Sequence, residues 1–167
     1  LKDVDLPSAE SLVHRYPHEL SGGQKQRVMI AMAILCEPKL IIADEPTSAL
    51  DVTAQDTVLN VLIRLSKEKD IAILMITHDM GVVARFCERV NVMYGGYIVE
   101  QADVKTLFSN PAHPYTAALL AATPDPSQSK QVLQAIPGIQ RTRIGKQPNS
   151  CPFIDRCCLL YTSPSPR

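Results

Sequence analysis

Leu20-Ser21-Gly22-Gly23-Gln24, followed by Leu40-Ile41-Ile42-Ala43-Asp44-Glu45-Pro46, decides how this chain is read. The paired glycines let a backbone come close to a phosphate. Ser21 suits the cap of a helix starting there, and Gln24 stands three residues on, where a capping-box partner belongs. The free N–H groups and partial positive charge of such a helix start favour an anion. The later stretch is an apolar strand ending in two adjacent carboxylates, Asp44 and Glu45. Ligand chemistry in α/β sheets gathers at that end of the strands. A phosphate-facing helix start, with a carboxylate pair for metal and water, suggests hydrolysis of a nucleotide triphosphate.

Outward from that core, the helix after Ser21 is expected to run to about Cys36, with Val28, Met32 and Leu35 on one face and Ala31 between them. Lys25 and Arg27 are placed on exposed first turns. Lys25 stands beside glycines, but the spacing G-x-x-x-x-G-K-S/T occurs nowhere in the sequence, so Lys25 reads as a solvated side chain. Pro38 and Lys39 end the helix. Residues 40–43 are wholly apolar, as in a parallel strand covered on both faces. Taken alone, Asp44 and Glu45 are as readily a capping pair at a strand end. The helix start upstream and His78 downstream weigh against that.

Asp51, Val52 and Thr53 open a helix reaching about Lys69, with Val58, Leu62 and Leu65 as its buried stripe. Ile71 to Ile76 reads as a second buried strand that delivers Thr77, His78 and Asp79. A histidine after a strand is usually structural; beside the acidic end of the previous strand it acquires a catalytic reading. Met80 to Cys87 reads as a helix, and Val90–Tyr94 and Tyr97–Glu100 as strands around Gly95-Gly96, a hairpin signal. Asp103 to Ser109 reads as a short helix, and Pro114 as the first position of another ending near Ala122. At the start, residues 1–19, which carry Leu6, Leu12 and Val13 among charges, read as a short helical segment with turns at Pro7 and Pro17. His14 and His18 lack metal-ligand spacing.

The chain of 167 residues is long enough for one ordinary core. With 17 basic and 17 acidic residues its net charge is zero, and nothing in that balance points to a polyanion held by bulk charge. No apolar run is long enough to span a membrane. Of the five cysteines, Cys36 and Cys87 lie in apolar helical contexts and read as inert core thiols in a reducing compartment. From Thr123 proline, serine and glutamine rise. Residues 123–150 read as an irregular extension anchored at Val132, Leu133 and Ile136-Pro137-Gly138.

Leu20–Gln24 resembles the signature motif of the ATP-binding-cassette (ABC) ATPases, and Leu40–Glu45 resembles their Walker B strand. Ser48-Ala49-Leu50-Asp51 is similar to their D-loop and Thr77-His78-Asp79 to their switch histidine. Tyr16-Pro17-His18-Glu19, Ile42 to Thr47 and His113-Pro114-Tyr115-Thr116 resemble the ATPase subunits of oligopeptide and dipeptide importers. The likeness covers residues 1–158. It implies an α/β fold: an incomplete P-loop-NTPase-like parallel sheet with flanking helices, part of the helical subdomain, and an irregular C-terminal extension. The implied division is 1–122 for the C-terminal part of the ATPase domain, 123–158 for the importer-type extension, and 159–167 for a foreign tail. The family places its phosphate loop and Q-loop upstream of Leu1.

The resemblance implies the nucleotide-binding subunit of an ABC importer that hydrolyses ATP to energise uptake of di- and oligopeptides, present as a fragment. Asp44 would hold Mg²⁺, and Glu45 and His78 would be catalytic. Ser21, Gly22, Gly23, Gln24 and Asp51 would act on nucleotide across a dimer interface. The implied cofactors are ATP and Mg²⁺. Some members carry an iron–sulfur cluster at cysteines like Cys151 and Cys157. Cys158 directly follows Cys157 and a fourth ligand is missing, so no cluster is expected in this chain. The implied partners are a second ABC ATPase subunit arranged head to tail, two transmembrane permease subunits, and a periplasmic or extracellular solute-binding protein, with no nucleic acid. The implied location is peripheral, on the cytoplasmic face of the cell (inner) membrane. Two alternatives stand beside this reading. One is a truncated, non-catalytic fragment. The other is an ABC ATPase of DNA repair, against which the lack of heptads and of net charge argues. By itself the chain is expected to bind ATP weakly and not to turn it over.

Overall fold

The computed structural model describes residues 1–6, 9–123, 135–139 and 150–161. The chain divides into two compact units, Leu1–Asp79 and Met80–Arg167.

The first unit is built on two parallel strands, β1 (Leu40–Asp44) and β2 (Ala72–Ile76), paired in register from Leu40 against Ala72 to Asp44 against Ile76. Parallel neighbours need a long crossover. Helix α3 (Val52–Lys69) supplies it. Asp51 caps α3 by accepting the Ala54 N–H at 2.9 Å. At the other end Lys67 and Lys69 complement the helix dipole, and Asp70 turns left-handed at φ 51°. Before β1 lie the one-turn α1 (Ala9–Leu12) and α2 (Gly22–Ile34). Val58, Val61, Leu62 and Leu65 of α3 pack with Ile30 and Ala31 of α2, with Ala43 of β1, and with Val4, Leu6 and Leu12. Ion pairs Arg64–Asp5 (2.8 Å) and Lys69–Asp3 (3.0 Å) fasten the N-terminal turn to α3. Lys69 is the main cause that holds the Asp3 carboxyl below its ordinary value.

Several expectations are corrected here. Among the described residues β1 is covered on one face: Ile41 and Ala43 are buried, while Leu40 is 50% and Ile42 62% exposed. Leu74 and Ile76 of β2 are 46% and 48% exposed. An apolar run does not encode which of its faces is covered, and among the described residues the core lies on the side of Ile41 and Ala43. On α2 the buried residues are Gly23, Ile30 and Ala31, with Val28 and Ile34 packed at the edge, whereas Met32 and Leu35 are exposed. Two stripes on α2 share helical spacing, and packing against α3 selects one. Arg27 is part-buried, donating to the Gly23 carbonyl (3.3 Å) and to the Asp5 carbonyl. Cys36 lies beyond the end of α2 and is exposed, so it is not a core thiol.

In the second unit α4 (Met80–Phe86) precedes an antiparallel hairpin of β3 (Arg89–Tyr94) and β4 (Tyr97–Asp103). The two-residue loop Gly95-Gly96 has φ of 58° and 86°, the positive angles that a tight hairpin turn demands. Asp103 ends β4 and caps α5 (Val104–Ser109), accepting the Thr106 N–H at 2.9 Å. Its carboxyl lies below the ordinary range, first because of the Thr106 hydroxyl. His113 caps α6 (Pro114–Ala121), whose first residue is proline as its fixed φ favours. Met80, Val92 and Leu107 form a core with Val90, Val99, Leu119 and Leu120 packed on it. Cys87 is half-buried, and burial pushes its thiol up.

An aromatic group fastens the later residues of this unit. Phe153 is buried, with ring centroids 5.1 Å from Tyr94 and 5.3 Å from Tyr115. Arg156 donates to the carbonyls of Pro137 (2.8 Å) and Ile136 (2.9 Å), so residues 135–139 are held where proline-rich text suggested only loose anchors. Val132, Leu133 and residues 162–167 of the expected tail lie outside the described residues.

Candidate functional site

Because β1 and β2 run parallel and in register, their ends emerge side by side. The Glu45 N–H donates to the Ile76 carbonyl at 2.9 Å, which extends the strand contact by one residue. Glu45 then turns left-handed, at φ 43°. Its carbonyl accepts the Ser48 N–H (3.3 Å) and the Ser48 hydroxyl (3.2 Å). A residue with a Cβ occupies that region at a cost of about 1–3 kcal/mol, and such positions cluster at functional sites. Across from it, His78 Nδ1 lies 2.9 Å from Glu45 Oε1. A carboxylate only accepts, so Nδ1 carries the proton; in the neutral ring Nε2 is then the free lone pair. The His78 side chain is 80% exposed, so this contact holds an otherwise solvated ring.

Asp44 is the last residue of β1 and has the parity of Leu40 and Ile42, which puts it on the open face of the strand. Mg²⁺ keeps several waters and takes one or two carboxylates together with substrate phosphates. A single carboxylate at an open strand end fits that demand. An iron–sulfur cluster needs four thiolate ligands as a rule. Among the described residues no three His, Cys, Asp or Glu gather at a possible metal site. Cys151 has the His113 ring as its neighbour, Sγ to Nε2 3.5 Å.

The start of α2 forms the expected capping box. Ser21 Oγ accepts the Gln24 N–H (3.3 Å) and Gln24 Oε1 accepts the Ser21 N–H (3.0 Å). Both glycines stand where a Cβ would be tightly placed. A Cβ on Gly22 would sit 3.1 Å from Leu50 Cδ2, and one on Gly23 would sit 3.2 Å from Ala54 Cβ. The glycine-rich helix start thus rests against the 48–51 loop and the first turn of α3. Asp51, in that loop, spends one carboxylate oxygen on its cap.

Two of the sequence-derived sites are therefore distinct in space. Glu45 and His78 line a cleft with Ser48, Leu50, Gln55 and Asp79. Ser21 to Gln24 are not part of that lining, and the 48–55 segment borders both. Sequence reasoning missed Gln55, although it lies one helical turn after Asp51 on the same face. It also missed Glu100, which accepts the N–H groups of Ala112 (2.8 Å) and His113 (3.0 Å). Burial works against the charged form of Glu100, yet the hydrogen bonds it accepts hold its carboxyl below the ordinary value. No spacing signal marks that residue.

With this geometry in view, two families match. The one described as "ABC transporter" matches residues 1–48, and "Oligopeptide/dipeptide transporter, C-terminal region" matches residues 99–160. These matches support part of an ABC transporter ATPase domain together with an oligopeptide/dipeptide transporter C-terminal region. It is 46% identical over 157 residues to the dipeptide transport ATP-binding protein DppD of Escherichia coli (strain K12), covering 94% of this chain and 48% of that protein. It is 48% identical over 157 residues to the oligopeptide transport ATP-binding protein OppD of Haemophilus influenzae, covering 94% of this chain and 48% of that one. The chain spans about half the length of the curated relatives it matches. Among solved structures, the dimeric post-hydrolysis state of the ATP-binding cassette MJ0796 bound to ADP and Pi matches with TM-score 0.53 at 34% identity, over 62% of this chain and 43% of that one. The parallel strand pair with its helices is thus part of an ABC ATPase fold. No described helix is long and apolar enough to cross a membrane.

Proposed function

We propose that this chain is the signature-to-switch part of an ATP-hydrolysing subunit that energises peptide uptake by an ABC importer. The observation that carries the reading is the 2.9 Å contact of Glu45 and His78 at the ends of adjacent parallel strands. The names of the relatives, dipeptide and oligopeptide transport ATP-binding proteins, supply the solute class.

Asp44 would hold Mg²⁺, which when bound neutralises charge on the transferring phosphoryl group. Glu45 accepts the proton of, or orients, the attacking water; a positioned base contributes about 10²–10⁴ in rate. His78 keeps the Glu45 carboxylate in place through Nδ1–H. Its Nε2 lone pair and a phosphate oxygen are both acceptors, so a hydrogen bond to phosphate requires a second proton on the ring. The start of α2, with Ser21, Gly22, Gly23 and Gln24, faces nucleotide held by a second ABC ATPase subunit. A helix N-terminus contributes only about 0.3–2 kcal/mol to an anion, so it needs the partner's phosphate loop. Asp51 stands at the same interface. Residues 1–122 serve the ATPase, and the importer-type extension follows from residue 123. Two transmembrane permease subunits and an external solute-binding protein complete the assembly, in which this subunit is peripheral on the cytoplasmic face of the membrane.

The test is Mg-ATP hydrolysis by the protein translated from the whole reading frame that contains this sequence. Glu45→Gln is expected to lower turnover at least about 10²-fold. Unchanged turnover in that variant overturns the reading.

A further inference from the structure

Gln55 stands in the first turn of α3, four residues after the Asp51 cap. Its side-chain Nε2 donates to Asp79 Oδ2 at 3.3 Å. Asp79 directly follows His78, and its N–H donates to the Thr77 hydroxyl at 3.0 Å. The loop carrying His78 is therefore gripped twice. Glu45 holds the ring, and Gln55 holds the residue after it. Gln55 also lines the cleft that contains both. On the neighbouring side of the same turn, Ala54 lies where a Cβ on Gly23 would meet it.

We propose that Gln55 is a positioning residue: it sets His78 against Glu45 and so joins the glycine-rich helix start to that pair through the first turn of α3. The inference rests on the ATPase reading above for its bearing on turnover, and on the hydrogen bonds for its geometry. The chemistry favours an amide. Gln55 donates where Asp79 accepts, whereas glutamate of equal length would set carboxylate against carboxylate. An imidazole that is 80% exposed has little packing to hold it, so its orientation depends on such grips.

The experiment is imidazole ¹⁵N correlation spectroscopy of His78 in the protein translated from the whole reading frame. The unaltered chain is expected to show the neutral ring protonated at Nδ1. Glu45→Ala, which removes the acceptor, loses that signature. Gln55→Glu is expected to lose it too, with amide dispersion retained. Asp79→Asn keeps an acceptor for Gln55 and keeps the signature. The double variant Gln55→Glu with Asp79→Asn reverses the polarity of the bond and restores it. If Gln55→Glu leaves the Nδ1–H signature intact while Glu45→Ala removes it, the role of Gln55 is overturned and the Glu45–His78 reading stands. If the double variant is folded but does not recover the signature, the role is likewise overturned. If Glu45→Ala leaves the signature unchanged, the Glu45–His78 contact fails, and the reading above fails with it.

Discussion

The Glu45–His78 cleft and the aromatic group around Phe153 are assembled by opposite means. In the cleft a residue is held at φ 43°, its partner ring is 80% exposed, and the contacts are hydrogen bonds. Around Phe153 the side chains are packed: the ring is buried, Tyr94 and Tyr115 tilt against it, and Arg156 lies over Tyr94 with its guanidinium 6.0 Å from the ring centroid. The aromatic group contributes stability through buried area. The cleft gives stability up: a strained backbone and a solvated pair persist because neighbouring hydrogen bonds over-determine them. A region that costs stability and presents a carboxylate–imidazole pair is where function is expected, while a region that only buries rings anchors the fold.

Two substitutions bear on that contrast. Phe153→Ala carries the larger effect: removal of a fully buried aromatic ring is expected to destabilise the second unit by about 3–5 kcal/mol. Denaturant unfolding followed by tyrosine fluorescence reads it, since the chain has no tryptophan. A loss below about 1 kcal/mol would break the contrast, because Phe153 would then not be an anchor. Glu45→Gly carries the smaller effect, with the opposite sign. Glycine adopts positive φ without the Cβ penalty, and the strain relieved offsets the flexibility gained in the unfolded chain, so stability is expected to be unchanged or to rise by up to about 1 kcal/mol. A clear destabilisation in the same unfolding assay would show that Glu45 is structural.

Much of this was legible in the sequence where local chemistry decides the outcome. Ser21 and Gln24 formed their reciprocal cap, Asp51 capped α3, and Gly95-Gly96 closed the hairpin, since each depends on residues within a few positions. The strands that carry Glu45 and His78 were found from apolar runs, and their parallel pairing is what brings the two side chains within 2.9 Å. What was not legible depends on packing partners. Leu40 and Ile42 look the same in sequence whether one face or both are covered. Met32 and Leu35 share helical spacing with the stripe that α3 does choose. Arg27, Gln55 and Glu100 reach residues distant in sequence, and nothing in their neighbours' identity predicts that reach.

The central claim is that Glu45 and His78 act as one catalytic unit. The measurement that tests it most directly is a double-variant cycle on Mg-ATP turnover, combining Glu45→Gln and His78→Ala in the protein from the whole reading frame. Groups that act as a unit are strongly non-additive, so the double variant is expected to be no slower than the slower single variant. Losses that multiply, with the double variant falling by the product of the two single effects, would show that the pair acts independently and would contradict the account.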